Sequence, residues 1–595
     1  MGKCVAVFGG GMGGLSAAHE LVCRGFDVTV YEAGDEDELG GKSASEFLKG
    51  TGVPPRADLP GEHGFRFWPG FYRHVVETMF EIPGIRGAVQ DDLCASAEAA
   101  VAFTGRPLFF FPRRLPTAPG DVLGTMQAML GSHDIATPSD VALAAWFRLK
   151  YLTSGHQRRL AEYDAMSWTD FLHLDTPGLY SAPFVRFEKS IPRTLSAMVA
   201  DKCSARTIGD VTMQMMLGYT RPAERPDQVL CGPTSVRWIT PWRTFLEDQG
   251  VQFVPHATLT KLVLGGSGAT RTVAHAVVAQ VPASGGAPVA VDVMADYHVA
   301  ALPLERMRAV VEASAMTGVD AGIDGLMNAA LDPAVATDWM IGAQFFLNAD
   351  LPICPGHVFY PDSAWALTSV SQAQFWAKSG RRVEDDYGDG NTKGIFSVCI
   401  ADWDRKSPRL GKTAREAGTL DPAHPDRVIL GEVRAQLRDA LGPNVLRDGD
   451  LTNQYLDDDI LFDATGMATA NKTPLLIHPM GSWQFRPDAA LKSIDNLFLA
   501  SDYVKTHTQL ATMEGANEAA RRAVNAILER AGSAEPECTI WPLTEEVFGA
   551  ARAMDDQRHL RGLPHVMDAI PPGDIVAAIL LVQKMLLFDP FSLLP

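Results

Sequence analysis

The chain has 595 residues, 46% of them hydrophobic and 21% charged, and a formal net charge of −19. That length exceeds a single compact core, so two or three domains are expected, and the composition excludes disordered and fibrous classes. The acidic balance argues against a nucleic-acid partner and against simple electrostatic attraction to anionic lipid, so any membrane contact has to be hydrophobic.

Eight scattered cysteines with no C-x-x-C pair predict reduced thiols rather than disulfides or a metal site. The first strand starts three residues from Met1 and leaves no room for a signal peptide, so a cytoplasmic protein is expected. The longest apolar candidate for a span, 575–587, is too short and carries Gln583 and Lys584.

In chain order, Val5 to Phe8 reads as an apolar strand. Gly9, Gly11 and Gly14 then fit G-x-G-x-x-G, Leu15 to Cys23 continues at helical spacing, and Val28 to Tyr31 is a second strand ending at Glu32. Such a strand–helix–strand unit holds a dinucleotide. Gly9 makes the tight turn, Gly11 admits a pyrophosphate, Gly14 lets helix and sheet pack, and the Glu32 carboxylate accepts from a ribose diol. Gly40, Gly41 and Lys42 follow, where paired glycines again allow close backbone approach and Lys42 suits a phosphate.

The stretch from Gly61 to His74 is dense in aromatics, glycine and ionisable groups and suits either a wall against a flat ring or an aromatic core loop. Leu108 to Phe111 predicts a buried strand. Val141 to Thr153, opened by Ser139, and Val211 to Tyr219 predict apolar helices of an inserted substrate cap. Strands at 251–254, 259–264 and 289–293 suggest that the first domain resumes, and strands at 341–347, 366–370 and 395–400 fall in a second insertion. Leu497 to Leu499 is a strand leading to Asp502, followed by 510–517 and a helix over 518–530.

The N-terminal glycine motif with Glu32, then Leu39-Gly40-Gly41-Lys42, then the segment 497–523 resemble together the FAD-dependent phytoene and carotene desaturase branch of the flavin amine oxidase superfamily. The resemblance covers about residues 1–530. It implies an α/β fold, with α+β insertions: a discontinuous Rossmann-type FAD-binding domain of the glutathione-reductase kind over 1–75, 226–305 and 481–530. A substrate domain is interleaved over 76–225 and 306–480, with a helical extension over 531–595. It also implies that Gly9, Gly11, Gly13 and Gly14 hold the FAD pyrophosphate and Glu32 the adenosine ribose. Gly40, Gly41 and Lys42 would lie beside pyrophosphate or flavin, Leu259 would meet adenine, and Asp502 would bind the ribityl region. Met513, Glu514, Gly515, Ala516 and Asn517 would line the pyrimidine end of the ring. Ser501 and Lys42 depart from the glycine and arginine usual in the family.

For catalysis, His63, Arg66 and Glu514 are the ionisable candidates, and His63 fits equally a structural histidine at a glycine turn. No second glycine fingerprint is present, so reoxidation falls to oxygen or a quinone rather than to bound NAD(P)H. The aromatic and Met-rich insertions and the apolar tail 570–595 favour a small apolar substrate of the isoprenoid or fatty acyl kind. The tail reads as packing on the protein's own body or in a homodimer, with peripheral membrane contact as the other fate. An amine oxidase with Trp483 in an aromatic cage, a redox-neutral double-bond isomerase, and a flavin-binding protein without turnover are the alternatives.

Overall fold

The computed structural model describes residues 2–35, 38–64, 67–112, 135–219, 226–266, 270–282, 284–543 and 548–587. Its organising layer is a five-stranded parallel sheet. β1 (Cys4–Phe8) and β2 (Asp27–Tyr31) flank α1 (Met12–Val22). β3 (Gln252–Val254), β4 (Tyr297–Ala300) and β5 (Leu497–Leu499) join them in the order β3-β2-β1-β4-β5. Parallel strands are covered on both faces and read as near-continuous apolar runs, and Val5, Val7, Phe8, Val299, Leu497 and Phe498 are all buried. α1 packs on α2 (Met513–Ala531), and the pair is pinned where Asn517 Nδ2 donates to Ser16 Oγ at 3.0 Å and to Thr78 Oγ1 at 2.9 Å.

Between β3 and β4 the chain makes an antiparallel meander of Ala257–Gly265, Thr272–Gln280 and Val289–Val293. A seven-stranded mixed sheet lies apart from these, with Ile341–Leu347 and Gly394–Ile400 fully buried near its middle. The helices Pro138–Thr153, Ala182–Ser196 and Ala205–Tyr219 belong to a further layer, whose aromatic core includes Trp146, Phe147, Tyr151, Trp168 and Phe171. The helix Ile575–Leu587 packs on Pro138–Thr153 through Ala578, while Val576, Ile579 and Leu580 remain exposed. No helix among the described residues is long and apolar enough to cross a membrane.

Four sequence expectations change. The strand Phe109–Pro112 is the edge of its sheet rather than a buried element, and Phe110 is 39% exposed. The first cap helix is opened by Thr137, not Ser139. Thr137 and Asp140 cap each other reciprocally, and Pro138 takes the first turn, where its missing N–H costs nothing. α2 begins at Met513, five residues before its expected start, because Thr512 accepts from the Gly515 N–H and caps it. The expectation of reduced thiols fails at one pair: Cys94 and Cys231 form a disulfide with a Cα separation of 6.1 Å. The antiparallel pairing of Leu93–Ala95 with Gln228–Leu230 brings the two together across 137 residues, a separation that hides the pairing in the sequence.

Candidate active site

One cavity of about 890 Å³ runs from the glycine loop after β1 to the cap helices. At its first end, Gly9 has φ +100°, and a Cβ there would lie 2.7 Å from the Ala301 carbonyl oxygen. A Cβ at Gly14 would sit 1.8 Å from the Gly9 oxygen, so this glycine is needed for packing α1 on the loop and does not itself face the cavity. Gly11 differs: a Cβ there would meet nothing within 4 Å, so the open space over its backbone is a cradle that a side chain would fill. Gly40 (φ +98°) and Gly41 (φ +53°) close a second loop onto the first, with the Gly40 N–H donating to the Gly10 oxygen at 2.9 Å. Only glycine takes these left-handed conformations at no steric cost, which explains the pair.

Glu32 lines the same end. Its Oε2 accepts from the Gly10 N–H at 2.5 Å and its Oε1 from the Gly34 N–H at 3.0 Å, so the carboxylate fixes the loop's shape and keeps lone pairs for a diol. Leu259 lines the cavity beside Ala257, Thr258 and Thr260, and across from them stand Pro303, Arg306 and Val310. Arg306 escaped the sequence reading, although its place in the first turn of the helix after β4 marks it. Lys42 also lines the cavity, with its Nζ donating to the Pro474 oxygen.

At the other end, Ser501 and Asp502 follow β5 and line the cavity with Leu510, Ala511, Thr512, Met513 and Ala516. The loop is held from behind by buried Arg486, which donates to the carbonyl oxygens of Asp502 (2.6 Å), Tyr503 (2.9 Å) and Val504 (2.7 Å). Burial lowers the pKa of this guanidinium to about 10, so it stays charged at neutral pH. The positive end of the 19-residue α2 therefore opens onto the cavity, where it suits an electron-rich ring edge or carbonyl.

Glu514 corrects the sequence reading. It does not line the cavity, and it is 1% exposed. One oxygen accepts from the N–H groups of Arg73 (2.8 Å) and His74 (2.9 Å) and faces His74 Nδ1 at 2.7 Å, and the other accepts from Val75 N–H at 2.9 Å. Burial acts to raise its pKa, but the His74 contact and these N–H groups hold it below the ordinary value. Its work is to cap the helix His74–Glu81. Helical spacing explains the result: Met513 and Ala516, three apart, share the cavity face, whereas Glu514 and Asn517 share the opposite one. Gly515 is likewise off the cavity, where a Cβ would meet the Leu510 oxygen at 2.7 Å. Phe65 and Arg66 lie outside the described residues.

His63 lines the cavity near Gly64, Phe67, His357, Cys399 and Lys472. Its Nδ1 lies 2.7 Å from Asp457 Oδ2, and its Nε2 lies 3.4 Å from Glu46 Oε1. Neither acid was singled out from the sequence, because both reach His63 through sheet pairing. Ser45–Leu48 pairs with Leu59–Glu62, and Asp457 follows the strand Leu451–Leu456. Trp483 does not line the cavity. It lies under the guanidinium of Arg206 at 4.2 Å and that of Arg486 at 5.3 Å.

The open cradle over Gly11, the acid after β2, and the N-terminus of α2 fit a long dinucleotide laid across the edge of the sheet. The class is therefore that of a Rossmann-type nucleotide-binding enzyme, and comparison with known proteins narrows it. A family model described as NAD(P)-binding Rossmann-like domain matches residues 7–81, and one described as Flavin containing amine oxidoreductase matches residues 372–528. Carotenoid phi-ring synthase of Chlorobaculum tepidum is 33% identical over 126 residues, which are 21% of this chain and 18% of that protein. Cyclohexylamine oxidase from Brevibacterium oxydans has the same fold at TM-score 0.54 and 14% identity, covering 89% of this chain and 100% of that one. Putrescine oxidase, solved with putrescine bound, gives 0.55 at 12% identity, covering 89% and 99%. An oxidoreductase from Methanosarcina mazei gives 0.53 at 11%, covering 88% and 100%. The N-terminal part of the chain thus matches a Rossmann-like nucleotide-binding model and a C-terminal part a model of flavin-containing amine oxidoreductases, as an FAD-dependent oxidoreductase with FAD as its cofactor does.

Proposed function

We propose that the chain is a desaturase or dehydrogenase that removes a hydride from a long apolar substrate, such as an isoprenoid or carotenoid precursor or an unsaturated fatty acyl chain. The observation that carries this reading is the far wall of the cavity, built from Leu195, Val211, Met215, Met340, Phe359 and Leu510. Such a wall binds by removing apolar surface from water and gives a charged amine no compensating partner. Trp483, the cage residue an amine oxidase would need, stands away from the cavity. The similarity to a protein named Carotenoid phi-ring synthase supports the same substrate class.

FAD, when bound, supplies a two-electron hydride acceptor. The chain's residues do the rest. The glycine loops and Glu32 hold the AMP half, Asp502 and the start of α2 hold the reactive half, and the apolar walls orient the substrate and exclude water. In a desaturation two C–H bonds break and one C=C bond forms. Bound FAD would accept the hydride of one carbon, His63 would take the proton of its neighbour, and oxygen or a quinone would serve as the final two-electron acceptor.

The test is anaerobic bleaching of the bound flavin by a panel of carotenoid precursors, unsaturated fatty acids and amines. Bleaching by a long apolar compound is expected. Bleaching by amines alone overturns the reading.

A further inference from the structure

His63 belongs to a cluster whose other members the reaction above does not use. Glu46, His63, Asp457 and Asp459 each offer an atom within 4.8 Å of the others, a grouping of histidine and carboxylates drawn from three separate segments. It is built by tertiary contact. Tyr455 crosses the hairpin and its hydroxyl donates to Glu46, which requires glycine at position 61, where a Cβ would lie 2.6 Å from the tyrosine ring. Asp457 also accepts from the Asp459 N–H at 3.0 Å, and Lys472 Nζ pairs with Asp459 at 3.3 Å.

We propose that this cluster is a proton relay, in which His63 takes the proton released in the cavity and passes it by way of Glu46 to solvent, with Asp457 holding the imidazole in place. The proposal rests on the desaturase reading. Three observations favour it. His63 alone of the four lines the cavity, so it is the inner end. The Glu46 side chain is 26% exposed, so it is the outer end. Each carboxylate already accepts from a protein donor: Asp457 from His63 and a backbone N–H, Glu46 from Tyr455, Asp459 from Lys472. A set whose acceptors are already served is arranged for protons rather than for a divalent cation.

In the proposed step the proton leaves the substrate carbon for the imidazole, and the imidazolium then gives a proton to the Glu46 carboxylate. Bound FAD would take the hydride, so charge and electrons balance. Asp457 and Glu46 are positioning residues, since only His63 faces substrate.

The relay has a pH signature. Glu46 is faced by His63, Tyr455, Asp457, Asp458 and Lys472. Burial raises its carboxyl to about 7, and Asp457 adds to this while His63 opposes it. Below that pH the outer acceptor is already protonated and the relay stalls. The rate of flavin bleaching therefore rises with pH through about 7. The same shift acts on stability. A free glutamate titrates near 4.5, so between 4.5 and about 7 the native chain holds a proton the unfolded chain has lost, and stability falls as pH rises.

Two measurements on holoenzyme test this, for the wild type, E46Q, E46D and D457N. The first is the pH profile of anaerobic bleaching by phytoene in detergent micelles. The second is the midpoint potential of bound FAD against pH with no substrate present. The wild type is expected to show a rising limb in rate and an inflection in potential near the Glu46 transition. E46Q is expected to lose both while keeping its FAD, and E46D to retain both. D457N is expected to lower the plateau rate ~10-fold or more. An unchanged limb and inflection in E46Q overturn the relay. If phytoene fails to bleach any variant but E46Q still loses the inflection, the relay stands and the substrate reading falls. If EDTA abolishes wild-type bleaching and Mg²⁺ or Mn²⁺ restores it, the cluster holds a cation and the relay is overturned.

Discussion

Two histidine–carboxylate pairs lie close together in the chain and have opposite meanings. His74 meets Glu514 at 2.7 Å, and His63 meets Asp457 at the same distance. Around His74 every valence is spoken for, because Glu514 also binds three backbone N–H groups and His74 Nε2 accepts from the Trp541 N–H at 2.8 Å. The tautomer is thereby fixed, and the pair works as a buried clamp. His63 instead lines the cavity, and its second nitrogen faces an acid that reaches solvent. Equal distances thus separate structure from chemistry only when the remaining hydrogen-bond capacity is counted.

The largest expected effect breaks the clamp. Glu514→Ala leaves three backbone N–H groups and the buried His74 ring without their acceptor, and should cost about 3–5 kcal/mol of stability in a urea titration. Full stability combined with lost turnover would return Glu514 to the chemistry. His63→Gln should slow flavin bleaching by ~10²-fold, measured with the panel compound fastest on wild type, while FAD content and unfolding midpoint stay level. A stability loss on the scale of Glu514→Ala would make His63 a second clamp. Glu32→Ala removes the acceptor of two loop N–H groups and should weaken FAD retention by ~10-fold in an ultrafiltration assay. Trp483→Phe, away from the cavity, should change bleaching by no more than about twofold. A larger loss, especially with amines, would revive the cage reading.

The contrast also explains how much was legible in the sequence. Gly9, Gly11, Glu32 and the Gly40-Gly41 pair lie within one short segment, so their spacing alone carries the geometry of the cradle. Asp502, Met513 and Ala516 became legible through the resemblance, and Glu514 was misread because helix phase was not settled until the cap at Thr512 was known. Asp457 lies 394 residues from His63, and Cys231 lies 137 from Cys94. Such partners meet only through sheet pairing, which no local pattern records. The role of Arg486, gathering three carbonyls of one loop, is likewise a tertiary fact.

The strand order β3-β2-β1-β4-β5 has a consequence for synthesis. The glycine loop leaves the ribosome about 490 residues ahead of β5 and Asp502. At roughly 5–20 residues per second, the loop waits on the order of half a minute or more for the other half of its cofactor site. For the last part of that interval, once β4 has been made, it has no β5 beside it, and its apolar edge stands open to other strands. FAD capture is thus a late event, and the β4 edge lacks its partner strand until Leu497–Leu499 arrives.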